Sequence, residues 1–273
     1  MTVRALVFDL DGTLLDVKKN IHPENLKAIR RAAAAGVEVL IATGRHPQAT
    51  HIIHHRLGLS TPAICCNGAC LYDFAAMRTL ASNPMSPAEV RTLYALCRKH
   101  NLPVKLYTDG AITWEVSDPY VEMYNSWKET VEERFRPLML KVDDYDAFLA
   151  ANPTIWKFTL WGDSTATMER LARDAEATGA FSCEWWSTEG LDITRADNTK
   201  GRALREWAGR RGIPMADIMA FGDNHNDISM LQAAGTGVAM GHSDAEVKAS
   251  AQFAVPGDNN GDAIARFLDR TLF

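Results

Sequence analysis

Two aspartates separated by one residue follow the first strongly apolar stretch of the chain. Residues 3–8 read VRALVF, and Asp9 and Asp11 come shortly after, with Gly12 next. One carboxylate of such a pair can act as a nucleophile while the other exchanges a proton with a reacting oxygen. An Asp-x-Asp-Gly sequence is also typical of a β-turn, so its interpretation depends on other motifs in the chain.

Further polar residues lie at the ends of other predicted strands. Thr43 and Gly44 end the stretch VEVLIATG, and Asp223 ends the stretch IMAFGD, with Asp227 four residues later. Lys200 comes at the start of the helical stretch that precedes IMAFGD. Because ligands of open parallel sheets bind beyond the carboxyl ends of the strands, we expect these residues to meet at one rim.

Several carboxylates at one rim repel one another and lose hydration, which favours a bound divalent cation. Oxygen ligands without histidine or cysteine at matching positions indicate Mg²⁺, which also accepts phosphate oxygens. The ammonium of Lys200 and the hydroxyl of Thr43 are suited to bind phosphate. In this setting Asp9 is the predicted nucleophile, which forms an aspartyl-phosphate, and Asp11 is the predicted acid and base.

The elements that must position these residues alternate between strands and helices. Continuous apolar runs predict buried strands, and a helix is expected after Pro23, with Gly36 as its end. The pattern resumes after residue 200 with helix, strand, helix and strand. This alternation predicts an α/β fold whose core is a doubly wound parallel sheet.

The middle of the chain has a different pattern. Between about 84 and 187, aromatic β-like segments alternate with turn residues, and two helical stretches are predicted near 86–100 and 164–178. Asp109 and Gly110 predict a hairpin turn. We therefore predict an inserted α+β domain at 84–187, with the core formed by 1–83 and 188–273.

Composition restricts the class of protein. The chain has 273 residues and a formal net charge of −5, so no basic field attracts nucleic acid, and no apolar run is long enough for a membrane span. The N-terminal residues lack the pattern of a signal peptide. The five cysteines form no Cys-x-x-Cys pair. We interpret Cys65, Cys66 and Cys70 as buried free thiols, which favours a cytoplasmic location.

Four segments together resemble the signature motifs of a known family. DLDGTLLD, ATGR, Lys200 and GDNHNDISML are similar to the four motifs of the haloacid-dehalogenase-like (HAD) phosphatases. GDNHNDISML with GTGVAMG resembles the Cof-type branch, whose Rossmann-like core carries an inserted type IIB cap. The resemblance covers the whole chain and implies that the cap closes over the site and selects the substrate.

The resemblance implies roles for individual residues. Asp9 would be the nucleophile and a Mg²⁺ ligand, Asp11 the acid and base with its backbone carbonyl on the metal, and Asp223 a further ligand. Asp227 would support the site. The phosphoryl group would be held by Thr43, Gly44, Lys200 and Asn226.

Three further residues are predicted substrate contacts. Arg45 follows the Thr43–Gly44 turn, although a surface ion pair explains it equally well. Asn67 ends the third strand and faces the same rim, or only forms a turn. Trp185 is the predicted contact from the cap, whose tryptophans otherwise fill its own core. The histidines between residues 46 and 55 are interpreted as packing or solvated side chains rather than metal ligands.

These features predict a Mg²⁺-dependent phosphatase of small phosphate esters that binds neither nucleic acid nor membrane. By resemblance the first substrate is pyridoxal 5′-phosphate, and broad sugar-phosphate specificity is the alternative. A phosphotransferase that passes the aspartyl-phosphate to an acceptor stays open, as does a phospho-acceptor without turnover. Neither the oligomeric state nor the physiological substrate follows from the sequence.

Overall fold

The computed structural model describes residues 2–273, which divide into two compact units. The core unit comprises the chain up to residue 44 together with 53–80 and 199–273, and the inserted unit comprises 45–52 and 81–198. The strands are β1 (Ala5–Phe8), β2 (Glu38–Ala42), β3 (Ala63–Cys65), β4 (Cys70–Asp73), β5 (Arg78–Ser82), β6 (Lys105–Thr108), β7 (Ile112–Trp114), β8 (Met139–Lys141), β9 (Ile155–Trp161), β10 (Phe181–Trp185), β11 (Gly190–Arg195), β12 (Ile218–Gly222), β13 (Thr236–Ala239) and β14 (Phe253–Ala254). The α-helices are α1 (Pro23–Ala34), α2 (Pro47–Leu57), α3 (Pro87–Lys99), α4 (Pro119–Glu129), α5 (Tyr145–Ala150), α6 (Thr165–Glu176), α7 (Lys200–Arg211), α8 (Ile228–Ala233), α9 (Ala245–Ala249) and α10 (Ala263–Thr271).

The core sheet has the strand order β14-β13-β12-β1-β2-β3-β4-β5. Strand β1 lies between β12 and β2 and is parallel to both, and its four residues are fully buried. Strands β13 and β3 extend the parallel arrangement on either side, whereas β4 runs antiparallel to β3. The predicted doubly wound α/β core is confirmed, and the carboxyl ends of β1, β2 and β12 lie at one edge.

The inserted unit contains a six-stranded sheet of order β10-β11-β9-β6-β7-β8. One face packs against α3, α5 and α6 through a hydrophobic cluster that includes Leu106, Phe158 and Ile193 from the strands. Because side chains alternate along a strand, the residues flanking Leu106 and Phe158 point to the opposite face. That face carries buried polar residues, including Lys105 and Lys157.

The boundaries of the inserted unit differ from the predicted 84–187. Its longer segment runs from residue 81 to residue 198, and residues 45–52 also belong to the unit. The later end has a clear reason, because β11 pairs antiparallel with both β10 and β9 and therefore belongs to the sheet of this unit. The predicted hairpin at Asp109–Gly110 is confirmed by the pairing of β6 with β7.

Two helices of the inserted unit, α4 and α5, were not expected from the sequence pattern. Helix α4 begins after Asp118, whose side chain accepts a hydrogen bond from the backbone N–H of Val121. Tyrosine favours strands by propensity, yet Tyr120 and Tyr124 lie in this helix. The hydroxyl of each is within hydrogen-bonding distance of the hydroxyl of Tyr107 on the sheet. Packing on the sheet therefore outweighs the local β preference.

Two further expectations concern the thiols and membrane segments. Cys65, Cys66 and Cys70 are buried and are not joined in disulfides, as predicted. Among residues 2–273, no helix has the length and apolar character that crossing a membrane requires.

Candidate active site

Asp9 lies at the carboxyl end of the central strand. Its backbone N–H donates to the carbonyl of Phe221 at 3.0 Å, so the pairing of β1 with β12 continues to this residue. Its side chain is buried, with 5% relative exposure of the residue. The carboxylate is thus fixed at the rim where the parallel sheet topology was expected to place it.

Lys200 is the first residue of α7, and its ammonium lies between two carboxylates. Nζ donates to Oδ1 of Asp9 at 2.6 Å and to Oδ1 of Asp227 at 2.7 Å. The helix begins at this point because the side chain of Thr199 accepts a hydrogen bond from the backbone N–H of Arg202. The N-cap therefore sets where the lysine enters the site.

Both oxygens of Asp227 are engaged by the protein. Oδ1 accepts from Lys200, and Oδ2 accepts from the backbone N–H groups of Asp223 and Asn224 at 3.0 and 3.1 Å. These bonds fix the turn that follows β12 and carries Asp223. The geometry agrees with a supporting role for Asp227 rather than direct contact with a ligand.

Asp223 is oriented by the segment that follows Asp9. The hydroxyl of Thr13 donates to Oδ1 of Asp223 at 2.6 Å. Gly12 has a φ of +86°, and a β-carbon there would lie 2.2 Å from Oδ2 of Asp223. Only glycine permits this backbone conformation together with this approach, so the Gly-Thr that follows the aspartates helps to build the site.

Asp9, Asp223 and Asp227 form a group of carboxylates suited to a cation. Each offers one oxygen, and the three oxygens lie within 4.8 Å of one another. Because Asp227 already accepts three hydrogen bonds, Asp9 and Asp223 are the members best placed to ligate an ion. Carboxylate oxygens are hard donors, so this set fits Mg²⁺.

The electrostatics of this group show an excess of negative charge. Burial raises the pKa of Asp9 and that of Asp227, and the opposing effect of Lys200 does not restore either to its ordinary value. Burial acts to lower the pKa of Lys200, but Asp227 and Asp9 outweigh it and the pKa lies above its ordinary value. One ammonium faces three carboxylates, and the ring of His242 lies 3.7 Å from Oδ2 of Asp223 at the edge of the group. A divalent cation would offset the charge that remains.

Asp11 has a different environment from the other predicted carboxylates. Its Oδ1 accepts from Nζ of Lys19 at 2.7 Å, and both side chains are exposed, at 39% and 45%. Lys19 was not identified in the sequence, where it lies eight residues beyond Asp11 in a polar loop. An exposed carboxyl group can exchange protons with solvent, which suits the predicted acid and base.

The predicted phosphate-binding residues meet at the end of β2. Thr43 is buried, its N–H donates to the carbonyl of Ile64 at 2.9 Å, and its carbonyl accepts from the N–H of Asn67 at 3.1 Å. The side-chain oxygen of Asn67 accepts from Nδ2 of Asn226 at 3.1 Å. A β-carbon at Gly44 would lie 2.7 Å from that same oxygen. The structure therefore brings Thr43, Gly44, Asn67 and Asn226 together.

The two remaining predicted contacts, Arg45 and Trp185, belong to the inserted unit. The guanidinium of Arg45 lies 6.0 Å from the ring centroid of Trp127. Trp185 is partly buried and packs against the hydrophobic cluster of its own unit. The ring of its neighbour Trp186 lies 5.4 Å from that of Tyr120 and 5.5 Å from that of Trp161. This packing explains Trp185 structurally, and substrate contact by Arg45 and Trp185 stays a prediction.

Comparison with known proteins identifies the family. The model of the haloacid dehalogenase-like hydrolases matches residues 6–268. Pyridoxal phosphate phosphatase YbhA of Escherichia coli is 39% identical over 268 residues, which cover 98% of each chain. The chain belongs to the haloacid dehalogenase-like hydrolases.

Other members of the family have different names and share the fold. The 5-amino-6-(5-phospho-D-ribitylamino)uracil phosphatase YwtE of Bacillus subtilis is 26% identical, over 99% of this chain and 98% of its own. The structure of the subclass IIB sugar phosphatase BT4131 superimposes with a TM-score of 0.80 at 25% identity and covers 98% of both chains. The chain is thus a HAD-type phosphatase. The names of its relatives indicate that they release phosphate from different esters.

Proposed function

We propose that this protein is a Mg²⁺-dependent phosphatase that hydrolyses small phosphate monoesters through an aspartyl-phosphate. The observation that carries the proposal is the ammonium of Lys200, which lies 2.6 Å from Asp9 and 2.7 Å from Asp227. Asp223 completes the carboxylate group. An ionised nucleophile, a fixed positive charge and a cation site are the parts that phosphoryl transfer requires.

In the first step, a carboxylate oxygen of Asp9 attacks phosphorus and the bond from phosphorus to the ester oxygen breaks. Lys200 lowers the pKa of Asp9 against the effect of burial, which favours the ionised nucleophile, and it offsets negative charge on the phosphoryl oxygens. Asp11 gives its proton to the leaving oxygen, so the alcohol departs neutral. The hydroxyl of Thr43, the N–H of Gly44 and the amide of Asn226 hold the phosphoryl group.

In the second step, water attacks the phosphorus of the aspartyl-phosphate and releases inorganic phosphate. Asp11 accepts the proton of that water and so returns to its starting state, and Asp9 is regenerated as a carboxylate. A Mg²⁺ held by Asp9, Asp223 and the backbone carbonyl of Asp11 would offset the charge of the phosphoryl oxygens.

Pyridoxal 5′-phosphate is the proposed substrate. The support is the 39% identity with the pyridoxal phosphate phosphatase YbhA over nearly the whole of both chains. A broad sugar-phosphate specificity is the second candidate, because BT4131 is a sugar phosphatase and the chain shares its fold. We propose that the inserted unit, which contains six of the seven tryptophans, selects the leaving group.

The chemistry is tested by phosphate release from a panel of esters with Mg²⁺. We expect Asp9→Asn to lower kcat by about 10⁴-fold or more, because the amide is not a nucleophile. Excess EDTA abolishes release, and added Mg²⁺ restores it. Asp269→Asn, which removes an exposed carboxylate paired with Arg31, is the matched control and keeps full activity. Turnover by Asp9→Asn or in EDTA at the level of the unmodified protein contradicts the mechanism.

The same panel decides between the substrates. A kcat/KM for pyridoxal 5′-phosphate at least tenfold above that for sugar phosphates supports the first candidate. Similar kcat/KM values for pyridoxal 5′-phosphate and many sugar phosphates would support the proposed chemistry. They would favour the broad sugar-phosphate specificity over pyridoxal 5′-phosphate as the substrate.

Two other outcomes point to different classes of protein. Transfer of phosphate to an added sugar rather than to water indicates a phosphotransferase. Labelling of Asp9 by a small phosphodonor without turnover indicates a phospho-acceptor. A cytoplasmic location belongs to the same proposal. It is supported by the five cysteines, none of which is in a disulfide, because thiols persist in reducing compartments.

A further inference from the structure

The turn that holds the phosphoryl group in the proposed mechanism is followed directly by a segment of the other unit. Thr43 and Gly44 are the last residues of the first core segment, and residues 45–52 belong to the inserted unit. No linker residue lies between them. The backbone of Gly44 is therefore bonded directly to a segment whose own hydrogen bonds lie in the inserted unit.

His46 fixes this segment through both nitrogens of its ring. Nε2 lies 2.8 Å from the carbonyl oxygen of Thr108, and the N–H of Gln48 donates to Nδ1 at 3.2 Å. A carbonyl only accepts, so Nε2 carries the proton and Nδ1 is the acceptor. The ring is thus a neutral tautomer that caps the first turn of α2 and bonds to the end of β6.

The surroundings of His46 leave the ring little freedom. The residue is buried, and its ring centroid lies 5.5 Å from that of Tyr107 and 5.8 Å from that of Trp156. The acceptor is rigid as well, because Thr108 and Ala111 close the β6–β7 hairpin through three mutual hydrogen bonds. The bond therefore joins two fixed points.

Gln48 attaches the same segment at two further points. Its Nε2 donates to the carbonyl of Gly110 at 2.9 Å, and its Oε1 accepts from the N–H of Leu138 at 2.7 Å. Residues 46–48 are thus held to the β6–β7 hairpin and to the chain just before β8 by three side-chain hydrogen bonds. The N-terminus of a helix needs only a capping side chain. The additional hydrogen bonds to Thr108, Gly110 and Leu138 therefore indicate that this segment has a second role.

We propose that His46 is a positioning residue for phosphoryl transfer. Its hydrogen bond to Thr108 holds the Thr43–Gly44 turn in the orientation that binds the phosphoryl group. This inference rests on the proposed function, in which Thr43 and Gly44 contact the phosphoryl oxygens. Misplacement of such a group by about 1 Å costs about 100-fold in rate, so a distant anchor can affect the chemistry.

Two substitutions separate the anchor from the helix cap. His46→Asn keeps an oxygen that can cap α2 but loses the donor that reaches Thr108. His46→Gln places an amide nitrogen near the position of Nε2 and keeps that donor. At neutral pH with Mg²⁺, we expect His46→Asn to lower kcat/KM about 30-fold for both para-nitrophenyl phosphate and pyridoxal 5′-phosphate. We expect His46→Gln to stay within about threefold of the unmodified protein.

The binding of inorganic phosphate, measured by calorimetry, is the readout that a purely structural role does not move. We expect the Kd of phosphate to rise about tenfold in His46→Asn, measured on the folded fraction. Gln48→Met, which removes the bonds to Gly110 and Leu138, should shift the Kd in the same direction by a smaller factor. It keeps the test available if His46→Asn does not fold.

His54→Asn, in the helix that His46 caps, is the matched control. Nε2 of His54 lies 2.7 Å from the carbonyl of Thr61, so this variant also loses a histidine–carbonyl bond, but one within the core unit. We expect its kcat/KM and phosphate Kd to stay within about threefold of the unmodified values.

Unchanged kcat/KM and phosphate Kd in His46→Asn overturn the inference, as does an equal loss in His46→Asn and His54→Asn. An unmodified protein that binds phosphate but hydrolyses no ester contradicts the proposed function alone, because the Kd comparison still tests the role of His46.

Discussion

Both units bury lysine side chains against aspartates, but they balance the charges differently. In the core unit, Lys200 lies between Asp9 and Asp227, with Asp223 beside them. In the inserted unit, Lys105 pairs with Asp118 and Lys157 pairs with Asp192. All three lysines are almost completely buried, so burial alone does not distinguish the two regions.

The difference lies in the number of carboxylates for each ammonium. In the inserted unit two ammonium groups face two carboxylates, and Asp192 also accepts from the hydroxyl of Thr159 at 2.9 Å. A buried pair that is satisfied in this way holds a structure together without needing a ligand. The core group has three carboxylates for one ammonium, and such an excess is stabilised by a cation. Unbalanced buried charge is therefore the better sign of a reactive site.

Removing the ammonium from each unit gives the largest expected contrast. Lys200→Met leaves Asp9 and Asp227 without their counter-charge, and we expect kcat to fall about 10³-fold. Buried carboxylates that lose their counter-charge also lower the free energy of unfolding by about 3–5 kcal/mol. Phosphate release per folded molecule and chemical denaturation measure the two effects separately.

Lys157→Met is the control in the inserted unit. It deprives Asp192 of the ammonium that lies against it, so we expect a similar loss in the free energy of unfolding, about 3–5 kcal/mol. Its kcat for para-nitrophenyl phosphate should stay within about threefold of the unmodified protein. If kcat falls equally in both variants, charge balance does not separate a reactive site from a structural pair.

A smaller effect is expected where the backbone, rather than a charge, shapes the core site. Gly12→Ala places a β-carbon against the carboxylate of Asp223, which must move. Displacing a ligand in this way typically costs about 10–100-fold in metal affinity, so we expect the Mg²⁺ concentration for half-maximal activity to rise by that factor. Titration of activity with Mg²⁺ measures it.

Gly36→Ala is the matched backbone control for this effect. Gly36 has a φ of +89°, close to the +86° of Gly12, but a β-carbon there meets nothing within 4 Å. Both variants share the strain of a left-handed alanine, about 1–2 kcal/mol. An equal Mg²⁺ requirement in both would show that the contact with Asp223 has no effect on metal binding.

The sequence was most informative where topology alone decides position. Parallel strands share the edge at which they end, so Asp9, Thr43 and Asp223 could be assigned to one rim before their distances were known. The bond from Thr13 to Asp223 could not, because it depends on a backbone turn and a rotamer. The Gly-Thr after the aspartates was a visible signal, but no contact was assigned to either residue from the sequence.

The inserted unit was harder to predict because its pairings are not local. Strand β11 joins β10 and β9, which moves the end of the unit beyond residue 187. The histidines near the start of α2 were interpreted as packing or solvated side chains, and His46 is indeed buried. Nothing in the spacing indicated that its ring bonds to Thr108, 62 residues away in the chain.

His46 shows a third way to accommodate a buried titratable group, which is to remain neutral. Burial lowers its pKa from 6.5 to about 4, and the nearby charge of Lys157 acts in the same direction, against the bond to Thr108. Tyr107, whose ring also packs against His46, is uncharged in this pH range, and burial raises its pKa further above the ordinary value. Between pH 6.5 and about 4 the unfolded chain therefore binds a proton that the folded chain does not.

It follows that His46 makes folding less favourable as the pH falls through this window and has no such effect above it. One proton corresponds to about 1.4 kcal/mol per pH unit, so the contribution between pH 7 and pH 5 is about 2 kcal/mol. Lowering the pH from 7 to 5 should therefore reduce the free energy of unfolding by about 2 kcal/mol less in His46→Asn than in the unmodified protein. Urea denaturation of both proteins at pH 7 and pH 5 measures the two changes in unfolding free energy. Both proteins contain the same carboxylates, so the contributions of these groups cancel when the two changes are subtracted. An identical pH dependence in the two proteins would mean that the ring binds a proton equally well in the folded and the unfolded chain. That result would contradict the neutral ring indicated by its bonds to Thr108 and Gln48.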